Sequence, residues 1–87
     1  MPASLDEPPF AAVVDALGVL CPLPVLRLRK RLRPLAQGSR VRLLADDPAA
    51  LIDVPHFCHQ NGHVLHHTAQ SGTTLLFDIE KGGSLQR

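Results

Sequence analysis

Gly18-Val19-Leu20-Cys21-Pro22-Leu23-Pro24 is the stretch at which the chain passes from a short strand and its exit loop into a helix. Upstream, the apolar run Ala12-Val13-Val14 closes at Asp15 and reads as a strand over residues 11–15. Downstream, Val25, Leu28, Leu32 and Leu35 recur at steps of three and four, which predicts a helix from Pro22 to about Leu35 with one buried stripe. Cys21 therefore falls at or next to the helix N-cap. Pro22 suits the first helical position, where its fixed φ is already helical and its missing N–H costs nothing; Pro24 is tolerated in the same turn. Gly18 supplies a residue that accepts positive φ in the turn. A thiol placed there faces the positive end of the helix dipole, which predicts a lowered pKa and a nucleophilic thiolate. The two prolines delete two first-turn amides, so the dipole and the rigid frame are expected to matter more than an amide nest.

Working outward, the arc of this helix opposite the buried stripe holds Arg27, Lys30, Arg31 and Arg33. Leu23 and Leu26 fall on the same outward arc, so exposed leucines are expected beside Cys21 and positive charge beyond them. Gln37-Gly38-Ser39 closes the helix, and Arg40 to Ala45 alternates as a strand with Val41, Leu43 and Ala45 on one face. Asp46-Asp47-Pro48 reads as a helix start with Asp47 as N-cap and Pro48 first in the helix. That second helix, from Pro48 to about Asn61, contains Pro55, which is expected to bend or divide it. Val54, Phe57 and Cys58 share its inner side, and Asn61-Gly62 ends it. Residues 63–70 and 73–81 read as two strands joined through Gln70-Ser71-Gly72, with Leu75, Phe77 and Ile79 pointing inward.

The order βαβαββ requires a right-handed crossover that makes the first two strands parallel, while the last two form an antiparallel hairpin. The fold expected is an α/β (α+β) two-layer sandwich, a four-stranded mixed sheet with two helices on one face. Loops leaving parallel strands emerge at the same sheet edge, so Cys21 and the Asp46-Asp47 corner should be neighbours there.

Size and composition bound the function. With 87 residues the chain supports one core, expected over residues 11–81, with a loose tail at 1–10 and a polar tail at 82–87. Three Phe and no Tyr or Trp imply an aliphatic core and offer little for stacking on bases. A net charge of +1 argues against bulk attraction to nucleic acid or membrane. Met1 to Phe10 carries Asp6, Glu7 and three prolines, and reads as a tail rather than a leader. No apolar run has membrane-spanning length, so a cytoplasmic location with reduced thiols is the expectation.

Each candidate group also has a plainer reading. Free cysteines are often buried, and Cys58, on the inner stripe beside Phe57, is read as core rather than as a resolving thiol for Cys21. His56, His59, His63, His66 and His67 invite a metal, but Gly62 interrupts the His59–His63 spacing, and His66 and His67 should point to opposite faces of a regular strand. They are read as an exposed set, with no metal or organic cofactor. Asp47 is explained by capping; Asp46, near Cys21, would raise the thiol pKa and is expected to order the loop, as is Asp15. The cations of the first helix, with Arg40 and Arg42, make an ordinary solvated face, yet beside Leu23 and Leu26 they are also what a transient docking surface needs.

Taken together, Asp15, Gly18 and Cys21-Pro22-Leu23-Pro24, the basic Arg29-Lys30, Ala45-Asp46-Asp47-Pro48-Ala49, Asp53-Val54-Pro55 and Phe57-Cys58 resemble the TusA/SirA-like family of small sulfur carriers over roughly residues 12–81. The resemblance implies that Cys21 holds sulfane sulfur as a persulfide, framed by Gly18, Pro22 and Pro24. It also implies a cysteine desulfurase or rhodanese as donor and a downstream acceptor protein, in tRNA thiolation, molybdenum-cofactor maturation or sulfur metabolism. Such a protein is a shuttle rather than a stand-alone turnover enzyme. Partner docking is then expected at Leu23, Leu26, Arg27, Lys30 and Arg31. The chain departs from the family pattern at Leu17, where a basic residue is common, and at Ile52, where an Arg or similar polar residue is common. The alternatives are a nucleic-acid-binding or regulatory module that uses the basic first helix, and a thiol redox sensor that uses Cys21 and Cys58.

Overall fold

The computed structural model describes residues 10–83. Six elements follow in the order β1 (Ala12–Ala16), α1 (Leu23–Leu32), β2 (Arg40–Ala45), α2 (Ala50–Asn61), β3 (Val64–Ser71) and β4 (Thr74–Glu80). The tails expected at 1–10 and 82–87 lie outside the described residues except at Phe10, Gly82 and Gly83. Among the described residues no helix is long and apolar enough to cross a membrane.

Three helix boundaries differ from the sequence reading, each for a local reason. Pro22 is the N-cap of α1 rather than its first residue: its carbonyl accepts the Leu26 N–H at 3.1 Å, and Pro24 takes the second helical position. The helix stops at Leu32 instead of about Leu35 because Pro34 has no N–H with which to continue the ladder. The Lys81 ammonium donates to the carbonyls of Arg33 and Leu35 at the helix exit, at 3.0 and 2.7 Å. At α2, Ala49 is the N-cap and Pro48 lies in the preceding turn, so Asp47 caps that turn, ahead of the helix proper, by accepting the Ala49 N–H at 3.0 Å. Pro55 does not divide α2. The carbonyl that loses its helical donor is that of Leu51, an exposed residue where water can take the donor's place. Gly62 ends the helix in the left-handed conformation at φ 74°.

The sheet order is β1-β2-β4-β3. β1 and β2 are parallel, with Val14 opposite Leu43, and β4 runs antiparallel to both β2 and β3. Period-2 alternation sends Val14, Val41, Leu43, Leu75, Phe77 and Ile79 to one face. Both helices lie on that face. α1 contributes Pro24, Leu28 and Leu32, and α2 contributes Ala50, Val54, Phe57 and Cys58. Leu28, Leu43 and Phe77 are fully enclosed, each stabilising the fold by roughly 1.5–3 kcal/mol. The result is the two-layer α+β sandwich with a mixed four-stranded sheet.

On the opposite face, Arg42 pairs with Asp78 at 2.9 Å and lies over the Phe10 ring at 4.4 Å. A bulge between Leu65 and His67 corrects the expectation that His66 and His67 face opposite ways. His66 meets the Glu80 carboxylate at 2.7 Å and His67 sits opposite Asp78. Glu80 and Asp78 are two apart on β4, so both histidines belong to the open face.

Candidate functional site at the carboxyl edge of the parallel strands

The exit loops of β1 and β2 meet because the strands are parallel. Each turn of the first loop is tied to an aspartate. Asp15, at the end of β1, accepts the Leu17 N–H through Oδ1 at 2.9 Å, while its carbonyl accepts Arg27 Nη1 at 2.7 Å. Gly18 adopts φ 80°, a conformation costly for any residue with a β-carbon, and its N–H is shared by both Asp46 carboxylate oxygens at 3.0 and 3.1 Å. Val19 turns inward against the core. Cys21 then donates its backbone N–H to Asp47 Oδ2 at 2.8 Å, and the other oxygen of Asp47 accepts Ala49 N–H at 3.0 Å. Two consecutive aspartates thus pin the loop at Gly18 and at Cys21. The Cys21–Pro22 peptide is cis.

This geometry reverses the expected electrostatics of the thiol. Partial burial, a side-chain hydrogen bond to Asp53 and the negative charges of Asp47 and Asp53 push Cys21 up from 9.0 to about 11. The dipole argument fails for two reasons. Cys21 lies one residue outside the N-cap, and the prolines have removed first-turn amides. Leu23, whose N–H remains, spends it on the Leu20 carbonyl at 2.9 Å. Asp47 itself is held below the usual carboxylate range by the N–H groups of Cys21 and Ala49. The site is thus a protonated thiol held beside two carboxylates.

The loop and helix beside Cys21 also expose apolar side chains. Leu23 and Leu26 are exposed, and so are Arg27, Lys30, Arg31 and Arg33 on the same helix. The sequence reading missed Leu17, Leu20, Leu51 and Ile52. Leu20 and Ile52 are 71% and 74% exposed, more than either predicted leucine. Leu20 could have been noticed as an apolar residue in a loop next to Cys21. Ile52 occupies the position already singled out as departing from the family pattern. Asp53, also missed as a group touching the thiol, is placed there by the packing of α2 against α1.

Cys58 lies in the core at 3% exposure, and burial pushes its thiol up to about 11. Both cysteines are free thiols. Among the described residues no group of three or more His, Cys, Asp or Glu side chains is arranged to hold a metal ion. His63 leaves the exposed set: it is half-buried, packs against Phe57 at 5.4 Å between ring centres and accepts the Gly82 N–H at 3.0 Å.

Comparison with known proteins bears on the family and the fold. A family model described as sulfurtransferase TusA matches residues 12–81, from the first residue of β1 to just past β4. Among solved structures, a SirA-like protein from Desulfitobacterium hafniense superposes with a TM-score of 0.73 at 26% identity, covering 83% of this chain and 99% of that one.

Proposed function

Because the chain belongs to the sulfurtransferase TusA family, whose members serve as sulfur carriers in sulfur relay, we propose that Cys21 is the atom that bears the sulfur. The observation that supports this reading is the contrast between the two thiols. Cys21 is presented at the sheet edge by Asp47, while Cys58 is closed in the core.

In the proposed exchange the Cys21 thiolate attacks the outer sulfur of a donor persulfide. The donor's sulfur–sulfur bond breaks, the donor leaves as a thiolate, and Cys21 becomes a persulfide. An acceptor thiolate then attacks the outer sulfur on Cys21 and restores the thiol. No oxidant is consumed in either step. A thiol at about 11 is almost wholly protonated near neutral pH, so the carrier rests in an inactive form. Asp53, which with Asp47 raises the thiol, is a carboxylate available to take that proton when a partner closes over the site. Gly18, Pro22 and Pro24 hold the loop in shape, and Asp15 and Asp46 tie its turns. Leu23 and Leu26, with Arg27, Lys30 and Arg31, form the surface on which partners dock, extended by Leu20 and Ile52.

The donor in this reading is a cysteine desulfurase or a rhodanese, and the acceptor a protein of tRNA thiolation, molybdenum-cofactor maturation or sulfur metabolism. The relay unit is residues 11–81 and works in the cytoplasm. Radiolabelled sulfur tests it. Label supplied as cysteine with a desulfurase should migrate with this chain on a non-reducing gel, be chased off by an acceptor thiol, and be absent from Cys21→Ser. Label that persists in Cys21→Ser would reject Cys21 as the carrier.

A further inference from the structure

The groove between α1 and α2 holds two adjoining cavities, with Arg29, Phe57 and Asn61 lining both. The larger, about 450 Å³, lies at the C-terminal ends of the helices and is lined by Arg29, Leu32, Arg33, Phe57, His63 and Lys81, among others. The smaller, about 230 Å³, runs past His56 and Gln60 to Pro22 and Asp53, the residues flanking Cys21. Charge is strongly segregated along this groove. Among the described residues its far end is lined by Arg29, Arg33 and Lys81 with no acid, and its one carboxylate is Asp53, at the Cys21 end, which Arg29 also lines.

Arg29 and Arg33 have no carboxylate partner among the described residues, whose only ion pairs are Arg42–Asp78 and His66–Glu80. Arg29 is instead held by stacking over the Phe57 ring at 5.7 Å. Lys81 is fixed by the two carbonyls it serves at the end of α1. Arg29 and Lys81 are therefore positioned, and none of the three cations is neutralised by a carboxylate among the described residues.

Resting on the reading of Cys21 as the exchanging thiol, we propose that this groove receives an extended acidic peptide segment of the partner that exchanges sulfur with Cys21. The partner's cysteine sits at the Pro22 end and its carboxylates lie in the cationic cavity. From Pro22 to Arg33 the helix rises ~16 Å at ~1.5 Å per residue, a span that an extended peptide covers in about five residues. A groove with a hydrophobic floor, an unneutralised cationic end and, at the other end, Pro22 next to Cys21 suits a strand-like segment better than a compact anion. The leucines around Cys21 hold the partner's body, and the groove selects the segment that carries its thiol.

The test uses the full chain with Cys21 capped as a mixed disulfide with thionitrobenzoate, so it does not depend on persulfide loading. A peptide thiolate attacks the Cys21 sulfur, the bond to thionitrobenzoate breaks, and the coloured thiolate that leaves gives the rate. The probes are a peptide with three glutamates five residues beyond its cysteine, its glutamine counterpart, and a glutamate peptide in which the acids adjoin the cysteine. At low salt the spaced acidic peptide should react about fivefold faster than the other two. The advantage should vanish in high salt and in the paired variant Arg29→Gln, Arg33→Gln, which keeps side-chain length and polarity. Equal rates for the spaced acidic and glutamine peptides would overturn the proposal. So would an advantage indifferent to spacing or to the two arginines, or one abolished by stoichiometric inorganic tripolyphosphate, which would mark a compact-anion site. Failure of desulfurase loading alongside a retained peptide preference would instead reject the sulfur-carrier reading and leave the groove standing.

Discussion

Asp47 Oδ2 accepts the backbone N–H of Cys21 at 2.8 Å, a bond that joins the exit loops of two parallel strands. The same carboxylate that fixes the cysteine in space helps to keep its sulfur protonated. Asp47 therefore sets the position of Cys21 and adds to the burial and the Asp53 contact that raise its thiol.

The first consequence is a pH profile. With its pKa raised to about 11, Cys21 should be alkylated by iodoacetamide at a rate that climbs about tenfold per pH unit through pH 8 and 9. Asp53→Asn removes a charge and weakens the hydrogen-bond acceptor, so the profile should move to lower pH and the rate at pH 8 should increase. A plateau near pH 8 in the unsubstituted protein would show that the carboxylates do not hold the proton. The same shift has a sign for stability. The fold holds the thiol proton more tightly than the unfolded chain, so its contribution is complete below about 9 and is lost as pH rises toward about 11. Cys58 acts in the same direction and over the same window.

Gly18 is required by its backbone conformation. No atom stands within 4 Å of where its β-carbon would lie, so Gly18→Ala meets no clash and bears only the strain of φ 80°. Chemical denaturation should show a loss of about 1–2 kcal/mol. If the loop relaxes and the Gly18 N–H leaves Asp46, Cys21 alkylation should also change. At Gly82 the reason differs: an added β-carbon would overlap the Gly62 carbonyl, so Gly82→Ala should displace the segment that bonds His63.

Much of this was legible in the chain. Helical steps at Leu28 and Leu32 and the alternation at Val41, Leu43 and Ala45 are local signals, and they lead directly to the parallel pair and the shared edge. Pro34 was equally visible and should have shortened α1. The electrostatics of Cys21 were not legible, because they depend on Asp53 reaching the thiol from another helix. A periodicity places Val54 and Phe57 inward, but it does not say which residue of α1 their helix lies beside. The bulge at His66 was hidden for the same kind of reason, since the register of β3 is set by its partner strand.

The exposed aliphatic residues should separate docking from chemistry. Leu20→Asp and Ile52→Asp change residues that are 71% and 74% exposed, so stability should stay within about 0.5 kcal/mol of the starting protein. Sulfur transfer from a protein donor should fall about tenfold, while reaction with a small-molecule persulfide should be unchanged. Equal loss with both donors would place the effect on the sulfur itself rather than on docking.

Cys58→Ala should leave loading of Cys21 intact and lower stability by about 1 kcal/mol through loss of core packing. A loss of loading in this variant, at temperatures where it stays folded, would give Cys58 a direct part in the exchange.

The most direct test is the intact mass of the protein after incubation with a cysteine desulfurase and cysteine, recorded without reductant. A gain of one sulfur atom that disappears in Cys21→Ser and survives in Cys58→Ala is the predicted result. An unmodified chain with several desulfurase and rhodanese donors, or a sulfur gain that survives in Cys21→Ser, would contradict it.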